Sequence, residues 1–276
     1  MRKLLNLGCG TRFHKDWINV DIQSNNEHVI AHDLKKGIPF GDNEFDMVYH
    51  SHVLEHIPKN EAQNFLKECV RVLKPGGILR IVIPDLEQIT RKYIALLEKG
   101  VKSPEDQENW ENYQWILIEM YDQTVRTKSG GEMLNFLKKK NIVNQDFIIE
   151  RCGTEVKNIW EELAKNDANI AQPSFVKKVF WFLKYGQYRM DTIHSFLFPK
   201  RHQLFLDARF RNSGEIHQWM YDRYSIKHLM TSLNLKDVKA FGAVDSHLES
   251  WSDYRLDNEA NGSTYKPDSL FMEGIK

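Results

Sequence analysis

Apolar positions in the first part of the chain fall into short unbroken runs, each closed by a glycine, an aspartate or a turn. Leu4 to Leu7 runs into Gly8, Trp17 to Val20 into Asp21, a third stretch precedes Asp33, Phe45 to Tyr49 makes a fourth, and Leu73 to Pro84 a fifth. Runs of this length bounded by turn residues read as buried strands, and their succession predicts a parallel α/β sheet. One helix stands out among them: Ala62, Phe65, Leu66, Cys69, Val70 and Leu73 recur at helical spacing, and Pro75-Gly76-Gly77 stops it. The segments from Gly10 to Trp17 and from Asp21 to Asp33 are too short for full crossover helices, so those connections are expected to be trimmed to a turn or two.

Beyond Asp85 the period changes. Helical patterns follow at about 86–99, 108–123, 130–140, 155–166, 174–185 and 214–222, with turns at Lys99-Gly100, Ser129-Gly130-Gly131 and Gln172-Pro173. Ile226, Leu229, Met230 and Leu233 then mark one face of a further helix, and 237–241 and 269–275 read as closing strands around a polar loop, Asp257 to Pro267. The division expected from this is a core of residues 1–85 and 214–276 with residues 86–213 as a large helical insertion, a cap at the carboxyl edge of the sheet where open α/β sheets bind ligands.

Composition narrows the class. With 276 residues, 41% of them hydrophobic, the chain can bury a sizeable core. Lys+Arg 38 balances Asp+Glu 38, which argues against a nucleic-acid binder. Cys9, Cys69 and Cys152 lack metal spacing and form no even set, so a reducing, cytoplasmic compartment without structural disulfides is expected. A strand is predicted within three residues of the start, so no signal peptide is expected, and no apolar run reaches membrane-span length.

The string Leu4-Leu5-Asn6-Leu7-Gly8-Cys9-Gly10, followed by Val20-Asp21-Ile22, His32-Asp33-Leu34, Phe45-Asp46, Val53-Leu54-Glu55-His56-Ile57 and Val72-Leu73-Lys74-Pro75-Gly76-Gly77, resembles the compact bacterial class I S-adenosylmethionine-dependent methyltransferases, the type 11-like family. The resemblance covers about 3–85 and 214–276. It implies a Rossmann-like, doubly wound, seven-stranded sheet whose last strand is antiparallel, and S-adenosyl-L-methionine as cofactor. Gly8 and Gly10, around Cys9, would let the main chain approach the ligand. Asp21, with Ile22 beside it, would accept the ribose hydroxyls; Asp33 and Leu34 would receive the adenine, and His50 and Ser51 would line the methionine side. Asn6 stands where many relatives have an acidic residue. His52, Glu55 and His56 have the look of metal spacing, but Pro58 breaks any long zinc helix and the string recurs in the family, so no metal is expected.

Methyl transfer to a hydroxyl asks for alignment and a base. His217 is the first candidate for the base, and His52 and Asp85 lie on the two loops flanking the transfer site. Tyr121, Asp122, Arg126, Tyr221 and Arg223 sit in dense polar-aromatic strings suited to a polar substrate such as a sugar, although the same residues serve equally well in a core. The expected reaction is O-methylation of a small polar metabolite, or of a sugar in a glycan or nucleotide-sugar, within carbohydrate or natural-product biosynthesis. N-methylation, methylation of a peptide or natural product, a nicotinamide-dependent oxidoreductase and a non-catalytic subunit of the same fold stand as alternatives. The oxidoreductase is weakened by the lack of a third glycine after Gly8-Cys9-Gly10. The apolar-basic stretches Phe175 to Tyr185 and Phe196 to His202 read first as a core helix or a homodimer contact, and otherwise as a peripheral membrane contact.

Overall fold

The computed structural model describes residues 2–24, 26–166 and 174–276. Strands β1 (Leu4–Leu7), β2 (Ile18–Asp21), β3 (Val29–Ala31), β4 (Phe45–Ser51), β5 (Leu73–Pro84), β6 (Lys236–Phe241) and β7 (Ser269–Ile275) form one sheet in the order β3-β2-β1-β4-β5-β7-β6. Strands β1 to β5 pair in parallel, whereas β7 runs antiparallel to both β5 and β6. This is the expected doubly wound sheet. Strand order reverses between β1 and β4, the switch point at which such sheets open a crevice.

The two faces of the sheet are covered by different means. On one, α1 (Lys59–Val72) lays Ala62, Phe65, Leu66 and Cys69 onto Leu5, Leu7 and Val48, and α9 (Arg223–Ser232) adds Ile226 and Met230. On the other, Leu4, Met47, Tyr49, Ile78 and Val82 pack under Trp17 and a long connection between β6 and β7 that carries Leu248, Trp251 and Leu256. The early connections are turns, with one short 3₁₀ turn at Leu34–Lys36. Arg80 takes over the fastening: fully buried, it meets Asp257 at 2.8 Å and Glu273 at 2.7 Å, and donates to the carbonyls of Asp245 and Gly242. Tyr49 donates its hydroxyl to the same Asp257 at 2.6 Å.

Between β5 and β6 the chain is helical: α2 (Leu86–Lys102), α3 (Gln107–Val125), α4 (Gly131–Leu137), α5 (Gln145–Asn166), α6 (Phe175–Lys184), α7 (Gly186–Leu197) and α8 (Pro199–Arg211) precede α9. Helices α3, α4 and α5 share an apolar centre of Trp115, Phe136, Leu137, Ile148, Cys152 and Val156. Helix α5 starts ten residues before its predicted start and is broken at Gly153, whose positive φ of 61° leaves the helical region.

Two further expectations meet a different outcome. Residues 214–222 are not a helix, because their main-chain groups bond sideways: His217 N donates to Gln123 O, Gln218 N to Glu55 O, and Tyr221 O accepts from Leu86 N. Helices α7 and α8 carry no apolar periodicity that the sequence reading detected. The stretches read as a core helix or a homodimer contact do not form a core: Phe180, Leu183 and Tyr185 are exposed in the single chain, and Phe196 is 86% exposed. The turn expected at Gln172-Pro173 lies outside the described residues. No described helix is long and apolar enough to cross a membrane.

Candidate functional site

The crevice at the switch point is built by two turns. Gly8 and Gly10 follow β1 with φ of 64° and 53°, a region open to glycine at little cost. A Cβ on Gly8 would run into Val53, whereas one on Gly10 would meet nothing within 4 Å, so the turn packs on one side and opens on the other. Asp21, at the tip of β2, holds the turn by accepting from Gly10 N at 2.8 Å, and Ile22 beside it is exposed. The second turn follows β4, where the chain leaves the sheet after Ser51 at His52 and a 3₁₀ turn, Leu54–His56, leads into α1.

Three cavities meet there. The first, about 750 Å³, is lined by Gly8, Asp21, Ile22, Asp33, Leu34 and His52, on the α1 side. The second, about 260 Å³, lies across the glycine turn and is lined by Asn6, Cys9, Gly10, Ser51, Asp257 and Lys266, among others. The third, about 440 Å³, reaches into the helices, where Trp115, Met133, Leu137 and Val156 give apolar walls and Arg126, Glu215, Lys266 and Asp268 polar ones. His52 lines all three. Its own φ of 54° is rare for a non-glycine residue. The ring is held at both ends, Nδ1 3.1 Å from Glu55 Oε1 and Nε2 3.0 Å from Ser269 Oγ.

The other predicted residues occupy a range of positions. Asn6 is buried and donates to Asn19 Oδ1 at 3.2 Å, tying β1 to β2 while lining the second cavity. Burial and the nearby Asp21 push the Cys9 thiol up to about 11, which makes it a packed residue and not a nucleophile. Asp33 lines the first cavity and also caps the turn behind it, accepting from Lys35 N at 3.0 Å. His50 points to the other face of β4, edge-on to Phe65, with both ring nitrogens buried and unpartnered; burial holds it down to about 4. Asp85 caps α2 through Glu87 N and Gln88 N, and burial raises its carboxyl.

His217 is almost wholly buried against His56 and borders none of the three cavities; burial holds it down to about 3. Of the candidate substrate residues, Arg126 reaches the third cavity and pairs with Glu215 at 3.2 Å. Asp122 caps α4 through Glu132 N, Tyr121 faces solvent, and Arg223 pairs with Glu87 at 2.7 Å. Tyr221 is buried, its hydroxyl without a partner among the described residues, and burial together with Glu55 pushes it up to about 12.

Several lining residues escaped the sequence reading: Tyr49, Arg12, Glu155, Asp257, Tyr265 and Lys266 in the second cavity. Arg12 lies 3.8 Å over the Tyr265 ring and donates to Leu256 O and Asn258 O; Lys266 meets Glu155 at 2.8 Å. The available signal was the polar loop Asp257 to Pro267 before β7, which was read for its polarity and not for any side chain.

Residues 5–81 match the methyltransferase-domain family. An uncharacterized methyltransferase of Synechocystis sp. is 41% identical over 49 residues, a stretch covering 18% of this chain and 23% of that relative's length. Among solved structures, a SAM-dependent methyltransferase from Archaeoglobus fulgidus aligns with 100% of this chain and 86% of its own, at 13% identity and a TM-score of 0.37. PKMT2 from Rickettsia typhi, solved in complex with AdoHcy, aligns with 99% of this chain and 48% of its own, at 12% identity and a TM-score of 0.35.

Proposed function

We propose, from the match of residues 5–81 to the methyltransferase-domain family, that this chain binds S-adenosylmethionine across the Gly8-Cys9-Gly10 turn and methylates a hydroxyl of a small polar metabolite or sugar. The observation that carries the reading is the pair of cavities on either side of that turn, joined at Gly8 and His52. A nucleoside with an amino-acid tail needs two such compartments. Asp21 and Asp33 offer carboxylates to a ribose diol and an adenine amino group in the larger one. The smaller one carries both signs of charge, Arg12 and Lys266 against Glu155 and Asp257, as a zwitterionic tail requires. Gly10 leaves that approach open.

When bound, the sulfonium supplies an activated methyl group. The chain contributes alignment and a route for the acceptor's proton. His52 is the residue we assign to that route: Glu55 favours the proton on Nδ1, which leaves Nε2, now beside Ser269 Oγ, to accept. The third cavity, opening at His52, is the acceptor compartment, where Arg126, Glu215 and Asp268 offer groups to sugar hydroxyls among apolar walls. Residues 86–213 act in this reading as the substrate cap, and Asp85 caps α2, its first helix. Three buried free thiols suit a reducing, cytoplasmic setting.

The test is a panel of sugars, nucleotide-sugars, other hydroxylated metabolites and amines incubated with S-adenosylmethionine, with mass detection of one added methylene. Modification of a hydroxylated member, lost in His52→Ala, supports the reading; modification of amines alone sinks the hydroxyl assignment.

A further inference from the structure

Glu55 and His56 on the 3₁₀ turn after β4 and His217 on the 214–220 loop converge behind the crevice, with one ligand atom from each lying within 4.8 Å of the others. Glu55 is fully buried. Apart from His52 Nδ1 near Oε1, neither of its carboxylate oxygens has a hydrogen-bond partner among the described residues, and His217 Nδ1 is likewise buried and without a partner among them. An ionised carboxylate with so few donors is costly unless a cation faces it.

The surroundings hold the three groups in place. Gln218 N and Trp219 N both donate to Glu55 O, at 2.6 and 3.3 Å, which locks the loop to the turn, and His217 N is tied to Gln123 O at 2.9 Å. His56 Nδ1 lies 3.2 Å from Ile216 O, so the ring's proton is fixed there and Nε2 is left with a free lone pair. That outer contact, a ring N–H to a backbone carbonyl, is the usual support of a metal-bound histidine. The two imidazoles stand nearly perpendicular, at 82°, with centroids 4.7 Å apart.

We propose that Glu55, His56 and His217 bind one divalent first-row transition ion, of which Zn2+ is the natural probe. Two imidazoles and a carboxylate match that class, whereas Mg2+ and Ca2+ take oxygen shells. Closing the set to metal-ligand bonds of about 2.0–2.2 Å asks each side chain to move by under ~1 Å. Of the three, His56 also lines the first cavity, beside His52 and Gly214, and water or an oxygen of a ligand would complete the shell. The chain spacing of His52, Glu55 and His56 alone did not reveal the site, because the third ligand comes from a loop about 160 residues further along the chain, the separation at which His56 meets Ile216. The site stands whether or not the chain transfers methyl groups.

Untagged protein, stripped with chelator, dialysed against micromolar Zn2+ and passed through gel filtration, is expected to retain one ion per chain. His217→Ala and Glu55→Gln are expected to weaken binding about 100-fold or more, with His28→Ala, an exposed histidine elsewhere, unchanged. X-ray absorption on the wild-type protein needs no variant and is expected to read two imidazoles with oxygen neighbours. No retained ion, retention unchanged in both ligand variants, or sulfur in the shell overturns the proposal.

Discussion

The sheet side of the molecule and helices α6 to α8 treat their side chains in opposite ways. Around the sheet, groups that water would normally claim are wholly enclosed: Arg80, Glu273, Glu55 and His50 have no exposed surface. Helices α7 and α8 bury no residue, pack chiefly on each other and α6, and leave Phe196, Leu197 and Phe198 open to solvent. Stability and chemistry are therefore concentrated where polar groups are buried and mutually held. The outer helices hold apolar surface that the single chain does not use.

The comparison breaks most visibly at Arg80. Arg80→Met leaves Asp257 and Glu273 buried without their cation, and urea denaturation is expected to show a loss of about 3–5 kcal/mol. It should also loosen the Asp257 wall of the smaller cavity. A loss under 1 kcal/mol would mean that the long β6–β7 connection is fastened by its aromatic packing alone.

A pH profile sharpens the same contrast. Burial holds His50 down to about 4, against an ordinary 6.5, with Glu55 opposing. As pH falls below 6.5 the unfolded chain takes up that proton first, so stability is lost between pH 6.5 and 4 and levels off below. The contribution amounts to about 3 kcal/mol. Replacing His50 by Leu is expected to flatten that part of the denaturation profile relative to wild type; an identical slope would mean the imidazole is solvated.

The smallest effect is expected outside. Phe196→Ser, at an 86% exposed position, should change stability by under about 0.5 kcal/mol. A loss above 1 kcal/mol in the same denaturation assay would show that this face is covered in solution.

What the sequence disclosed follows the same division. Strands β1 to β5 and α1 were legible because their apolar residues fall in runs or at helical spacing and end at Gly8, Asp21 or the Pro75 turn. Helices α7 and α8, with no buried stripe, left no period to detect. The 214–222 string imitates a helix in its side chains, while its backbone is committed to Glu55 and Gln123. Of the crevice, the glycine turn and its aspartate are local signals and could be read. The partners of Arg80 lie 177 and 193 residues away along the chain, and Lys266 and Tyr265 of the smaller cavity come from the last loop; only folding brings such residues together.

The central claim is that one ligand straddles the Gly8-Cys9-Gly10 turn with Asp21 on its ribose. Calorimetric titration of the wild-type chain and Asp21→Ala with S-adenosylhomocysteine tests it most directly. The account predicts single-site binding by the wild type and a loss of at least about tenfold, 1.4 kcal/mol, in the variant. No binding to the wild type, or equal affinity in both, would contradict it.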